Sequence, residues 1–146
     1  MQARTLVVFS ILALAACDGG TKPTDQPPTQ ASDPHAAFPD LSVDEVASLV
    51  GAKKCTPVDA NSKDTRGKHG VVPGAVLLSD SGKYDASELP ADKSTKLVFY
   101  CGGKACTAAP KAAEVAVKAG YTDVNVMRAG IKGWVDAGQQ TDKPAS

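Results

Sequence analysis

The chain has 146 residues, with 16 basic side chains against 16 acidic ones and an apolar share of 42%. That length holds one domain with chain to spare, and the apolar share suffices for a core. A balanced charge supplies no field to gather nucleic acid, so nucleic acid is not an expected partner.

The first segment is an address. Met1-Gln2-Ala3-Arg4 is short and basic, and Leu6 to Ala16 is an apolar run without a charge. A membrane-spanning helix takes about 20 residues, more than this run offers. Residues 1–16 therefore read as a secretory signal. Leu14-Ala15-Ala16-Cys17 resembles the lipobox of bacterial lipoproteins. The resemblance implies cleavage before Cys17 and lipidation of that residue, and two or three acyl chains anchor stably where one is marginal. Asp18 resembles an inner-membrane retention signal, so the expected location is a bacterial membrane facing the periplasm, or the cell surface. The rest of residues 17–38 is rich in Pro, Thr, Gly and Asp. It buries too little to offset its ordering entropy and reads as a disordered tether, with His35 solvated.

A folded domain is expected over 39–140, followed by a flexible tail at 141–146. Ser42-Val43-Asp44-Glu45 forms a capping box that opens a helix with Val43, Val46, Leu49 and Val50 on one face and Gly51 at its end. Cys55 to Asp59 is a strand, with Pro57 pointing to an edge or a strand end. Asn61 to Gly70 is polar and reads as loop. Pro73-Gly74 makes a turn before a second strand, Ala75 to Leu78, and Asp85 to Leu89 is a short helix. Lys96 to Tyr100 has the apolar, β-rich character of a buried parallel strand. Thr107 to Ala119 is an Ala-rich helix, with Pro110 in its first turn and Gly120 capping its end. Asp123 to Met127 is the fourth strand, and Ile131 to Ala137 a last helix with Trp134 in the core. Strands alternating with helices predict a single α/β domain: a small parallel β-sheet flanked by helices on both faces.

The chemistry concentrates between the third strand and the Ala-rich helix. Cys101 stands at the carboxyl end of a strand, where α/β sheets place their sites. Gly102 and Gly103 let the backbone curl, and Lys104, Ala105, Cys106 and Thr107 complete a loop that runs into a helix N-terminus. Amides ringed around a sulfur favour its thiolate and can hold an anion, so Cys101 is the expected nucleophile and residues 102–107 the anion-binding loop. With Cys17 used for lipid, Cys55, Cys101 and Cys106 make an odd set. Cys106 is either a resolving thiol for Cys101 or a small residue at the helix start, alone or in a static disulfide. Cys55 reads as inert core. The Cys-x4-Cys spacing suits zinc poorly, so neither metal nor cofactor is expected. Asp59 is expected in a supporting role, holding a loop or nearby backbone. Arg66 and His69 are expected to be solvated, and Arg128, though near the strand ends, to lie on the surface.

Leu97-Val98-Phe99-Tyr100-Cys101, Ala112-Ala113, Gly120-Tyr121-Thr122-Asp123-Val124, Gly130-Ile131 and Gly133-Trp134 resemble the C-terminal half of a rhodanese domain. Val58-Asp59-Ala60-Asn61 and Val72-Pro73-Gly74-Ala75 resemble its two N-terminal signatures. The resemblance spans Leu41 to Gly138. It implies a sulfurtransferase in which Cys101 carries a persulfide from a donor such as thiosulfate to a thiol acceptor. The partners would thus be a small sulfur-containing anion or thiol and, through Cys17, a membrane. The chain departs from the family pattern where Asn61, Val71 and Cys106 stand in place of Arg, His and a basic loop residue. Cysteine-based phosphatases and arsenate reductases need an Arg that this loop lacks. Two other readings remain open: a thiol–disulfide or oxidant-responsive protein using Cys101 and Cys106, and a non-catalytic rhodanese-like binding module.

Overall fold

The capping box is formed: the Ser42 hydroxyl accepts from the Glu45 amide, and the Glu45 carboxylate accepts from the Ser42 amide at 2.8 Å. It starts α1 (Val43–Gly51). Gly51 is the last helical residue rather than the stop, and the chain reverses at Lys53, which takes a positive φ of 54°. The computed structural model describes residues 37–144. The signal segment, Cys17, Asp18 and the tether to residue 36 lie outside that range.

Four strands follow: β1 (Thr56–Asp59), β2 (Val76–Leu77), β3 (Leu97–Tyr100) and β4 (Val124–Met127). They form one parallel sheet in the order β2-β1-β3-β4. β1 is therefore interior, so of the two places expected from Pro57, an edge or a strand end, the structure shows the second, Pro57 being second in the strand. The reason lies in register. Thr56 and Ala60 donate to Lys96 and Tyr100 on the β3 side, so the alternate residues Pro57 and Asp59 face β2. Because β2 begins at Val76, opposite Val58, no partner strand faces the nitrogen that Pro57 leaves without a hydrogen.

Side-chain alternation divides the core between two faces. Val58, Leu97, Phe99, Val124 and Val126 meet Ala109, Ala112, Ala113 and Ala116 of α3 (Ala108–Lys118) on one face. Small alanines let this helix lie close to the sheet, and Pro110 sits in its first turn, where no amide is missed. Gly120, at φ +94°, turns the chain out of it into β4. On the other face Val98, Tyr100 and Met127 pack on Val46 of α1 and on Ile131 and Trp134 of α4 (Gly130–Asp136). The domain thus has the predicted helices on both faces of a parallel sheet. The Trp134 indole donates to the Gln140 carbonyl at 2.7 Å.

One further helix, α2 (Lys63–His69), occupies the stretch expected to be loop. Ser62 caps it by accepting from the Thr65 amide at 3.3 Å. Gly67 inside a polar run concealed it from a reading based on apolar periodicity. Asp85 caps a single 3-10 turn at Ala86–Glu88. At the two ends of the domain, Asp40 bridges Val126 in parallel and Asp142 bridges Val71 antiparallel.

Candidate active site

β3 delivers Cys101 to the carboxyl end of the sheet, and Cys101 is only 2% exposed. The next residues are held from outside by the start of α4. The Ile131 amide donates to the Cys101 carbonyl at 2.8 Å, and the Lys132 amide to that of Gly102 at 3.3 Å. Gly130 makes this approach feasible. Its φ is +63°, and a β-carbon there would overlap the Cys101 carbonyl and lie 2.5 Å from the Gly103 nitrogen. Within the loop, the Cys106 amide donates to the Gly103 carbonyl at 2.9 Å, folding Cys106 back towards Cys101. The two residues are joined as a disulfide, with their α-carbons 6.3 Å apart. The Cys106 carbonyl oxygen is 3.5 Å from Cys101 Sγ, near enough to accept from the thiol in the reduced form.

A cavity of about 270 Å³ opens over this pair. Lys104, Thr107 and Arg128 line it together with Cys101 and Cys106, and Ala109, Pro110 and Met127 supply apolar wall. Arg128 was expected on the surface, whereas it is half-buried and lines the cavity. The physical reason is the sheet order. β4 lies beside β3, with Tyr100 registered against Met127, so the residues after both strands emerge together. The Arg128 amide is pinned by the Asp40 carboxylate at 2.9 Å, which fixes where the side chain begins. The convergence of strand ends in an α/β sheet was the signal available in the sequence. The cavity thus combines sulfur, two cationic side chains and the N-terminal end of α3, a setting suited to a small anion with a leaving group.

Asp59 is fully buried at the end of β1. Its Oδ1 accepts from the Asn61 amide at 2.6 Å and from Arg66 Nε at 3.1 Å. Arg66 Nη2 also donates to the Asp59 and Leu78 carbonyls, each at 2.9 Å. Arg66, expected to be solvated, is therefore buried, because α2 swings it beneath the ends of β1 and β2 where strand carbonyls and a carboxylate await a cation. A buried pair of this kind is costly to break, since either partner alone would be a stranded charge. Tyr100 accepts from the Val72 amide at 3.0 Å. Burial, reinforced by the Asp59 carboxylate, pushes its hydroxyl well above the ordinary tyrosine range, so it stays protonated. Asn61 lies beside the loop, its Oδ1 3.9 Å from where a β-carbon on Gly102 would be. None of Asp59, Asn61, Arg66 or His69 lines the cavity.

Cys55 is half-buried and packs with the α1 and α4 side of the sheet, away from the disulfide. Burial pushes its thiol up, against a smaller opposing pull from Lys96. Among the described residues no cluster of His, Cys, Asp and Glu could hold a metal ion. No helix there is long and apolar enough to cross a membrane.

A family model for the rhodanese-like domain matches residues 42–137. Among solved structures, a thiosulfate sulfurtransferase from Pseudomonas aeruginosa shares 26% identity at a TM-score of 0.62, over 74% of this chain and 21% of that one. A human single-domain sulfurtransferase shares 20% identity at a TM-score of 0.53, over 67% of this chain and 96% of that one. A Rhodopseudomonas palustris protein described as a possible tyrosine phosphatase shares 23% identity at a TM-score of 0.59, over 72% of this chain and 85% of that one. The last two likenesses, at such identities, establish a shared fold. No curated protein matches the chain.

Proposed function

Since the chain belongs to the rhodanese-like domain family, its folded part matched from residue 42 to 137, we propose that it is a sulfurtransferase that carries sulfane sulfur as a persulfide on Cys101. The observation that carries this reading is the position of Cys101. It is a buried sulfur at the end of β3, lining a cavity that also presents Lys104 and Arg128. The disulfide is the oxidised form and must first gain two electrons and two protons from a thiol reductant. The freed Cys101 thiolate then attacks the outer sulfur of thiosulfate. The sulfur–sulfur bond of the donor breaks, sulfite leaves with the electron pair, and the outer sulfur remains on Cys101. Arg128 and Lys104 face the sulfonate end, where negative charge collects on the departing sulfite. An acceptor thiolate afterwards takes the terminal sulfur and regenerates Cys101.

The chain departs from the family pattern at Cys106, where many members carry a basic residue. In this reading Arg128 replaces that lost cation from the neighbouring strand, with the two-pronged grip on an oxyanion that Lys104 lacks. The Leu14-Ala15-Ala16-Cys17 sequence supports a second part of the proposal. Lipid on Cys17 tethers the domain to a bacterial membrane, so that donor and acceptor are molecules of the periplasm or the cell exterior.

Sulfite release tests the chemistry. Pre-reduced protein mixed with thiosulfate should release a rapid burst of about one sulfite per chain, and Cys101→Ser should release none. An undiminished burst from Cys101→Ser would refute the assignment.

A further inference from the structure

From the disulfide inside the site we infer a second activity: Cys106 resolves the Cys101 persulfide, releasing sulfide and closing the Cys101–Cys106 bond, so that the domain is a dithiol-dependent sulfane-sulfur reductase. The inference rests on Cys101 being the persulfide carrier and names what discharges it.

Three observations converge. The two sulfurs are bonded in the folded domain, so the loop brings Cys106 Sγ onto Cys101 Sγ without leaving its native conformation. The turn from the Gly103 carbonyl to the Cys106 amide and the grip of α4 on the Cys101 and Gly102 carbonyls hold that arrangement. Both cysteines line one cavity, and Cys101 is 2% exposed, so an external thiol must enter the space that Cys106 already borders. A thiol held in place acts at an effective concentration of roughly millimolar or more, whereas an external one must diffuse in. Cys55, on the other face of the sheet, does not compete.

The step balances without an outside oxidant. The Cys106 thiolate attacks Sγ of Cys101, the bond from that atom to the terminal sulfur breaks, and the terminal sulfur leaves as hydrosulfide with its proton. Cys101 and Cys106 are together oxidised by two electrons, and the sulfane sulfur is reduced by two. A dithiol reductant, a small-molecule dithiol or a protein bearing a cysteine pair, then reopens the disulfide and is itself oxidised. A domain built this way takes sulfane sulfur from anionic donors and delivers sulfide, where a simple transferase delivers a persulfide.

The test uses the full chain, reduced and then freed of reductant. It is mixed with thiosulfate or with an aromatic thiosulfonate, whose leaving groups are sulfite and a sulfinate. The readout is sulfide per leaving group released, with the final state of the cysteines read from peptide masses. Wild type should give a ratio of about one and end with Cys101 linked to Cys106, whereas in Cys106→Ser and Cys106→Ala the ratio should fall about tenfold or more and the sulfur should stay on Cys101. Persulfide retained equally by wild type and variants overturns the resolving step and leaves the transferase reading standing. A disulfide formed without sulfide also overturns it. No leaving group from either donor with any of these proteins overturns both readings.

Discussion

At the scale of the residue, Arg128 is the side chain on which the proposed grip on the donor turns. It enters the cavity from the end of β4, while the loop position that many relatives fill with a basic residue holds Cys106. If its guanidinium receives the sulfonate end of the donor, Arg128→Ala loses a charge-assisted, two-pronged contact. The KM for thiosulfate should rise about tenfold to a hundredfold, with a smaller effect on kcat, and Arg128→Lys should restore part of the loss. Steady-state kinetics with thiosulfate and a neutral sulfur donor check this, since the neutral donor should scarcely notice the change. An equal loss with both donors would assign Arg128 to structure rather than to the anion. The place of Cys101 at a sheet end was legible from sequence because it stands between a buried strand and a Gly-Gly turn. Arg128 was legible only through the general convergence of strand ends, and Arg66 not at all, since each owes its place to the assembled sheet: Arg128 to the pairing of β3 with β4, Arg66 to the buried Asp59 carboxylate and the strand-end carbonyls of Asp59 and Leu78.

At the scale of the element, the loop from Cys101 to Thr107 gains its shape from its surroundings. Only one of its amides, that of Cys106, bonds back within it, through the turn to Gly103. Its Cys101 and Gly102 carbonyls are held by α4, which Gly130 brings up close. Gly130→Ala places a methyl group against the Cys101 carbonyl at a φ that side chains avoid. The expected cost is about 2 to 4 kcal/mol, seen as a fall of about 10 °C or more in Tm, with the sulfite burst slowed in the protein that remains folded. A thermal melt and burst both unchanged would mean that α4 does not shape the loop. Apolar periodicity and caps made α1, β3, α3 and β4 legible, because each carries its own signal within a few residues. α2 was hidden by a polar face and Gly67, with only the Ser62 cap to announce it. The interior place of β1 was hidden because the shortness of β2, which excuses Pro57, is a property of the sheet rather than of the strand.

At the scale of the whole molecule, the chain carries a sheet with Cys101 buried at its carboxyl end and a leader that resembles a lipidation signal. The two parts imply a division of labour. In the proposed reading the leader would set the compartment, and the site the chemistry done there. Cys17→Ala should abolish incorporation of a labelled fatty acid in a bacterial host and move the protein from the membrane to the soluble fraction. Labelling that persists in the variant would place the lipid elsewhere or dispense with it. The two-faced core, built from alternate residues of β1, β3 and β4, holds the end of β3, and with it Cys101, between helices on both sides.

Peptide mass measured after exposure to thiosulfate shows whether Cys101 carries the transferred sulfur. The protein of choice is reduced Cys106→Ser, in which no neighbouring loop thiol can discharge the persulfide. One added sulfur atom is expected, located on Cys101 and removed by an added thiol. A folded Cys106→Ser protein whose Cys101 peptide gains no sulfur while thiosulfate is consumed would contradict it.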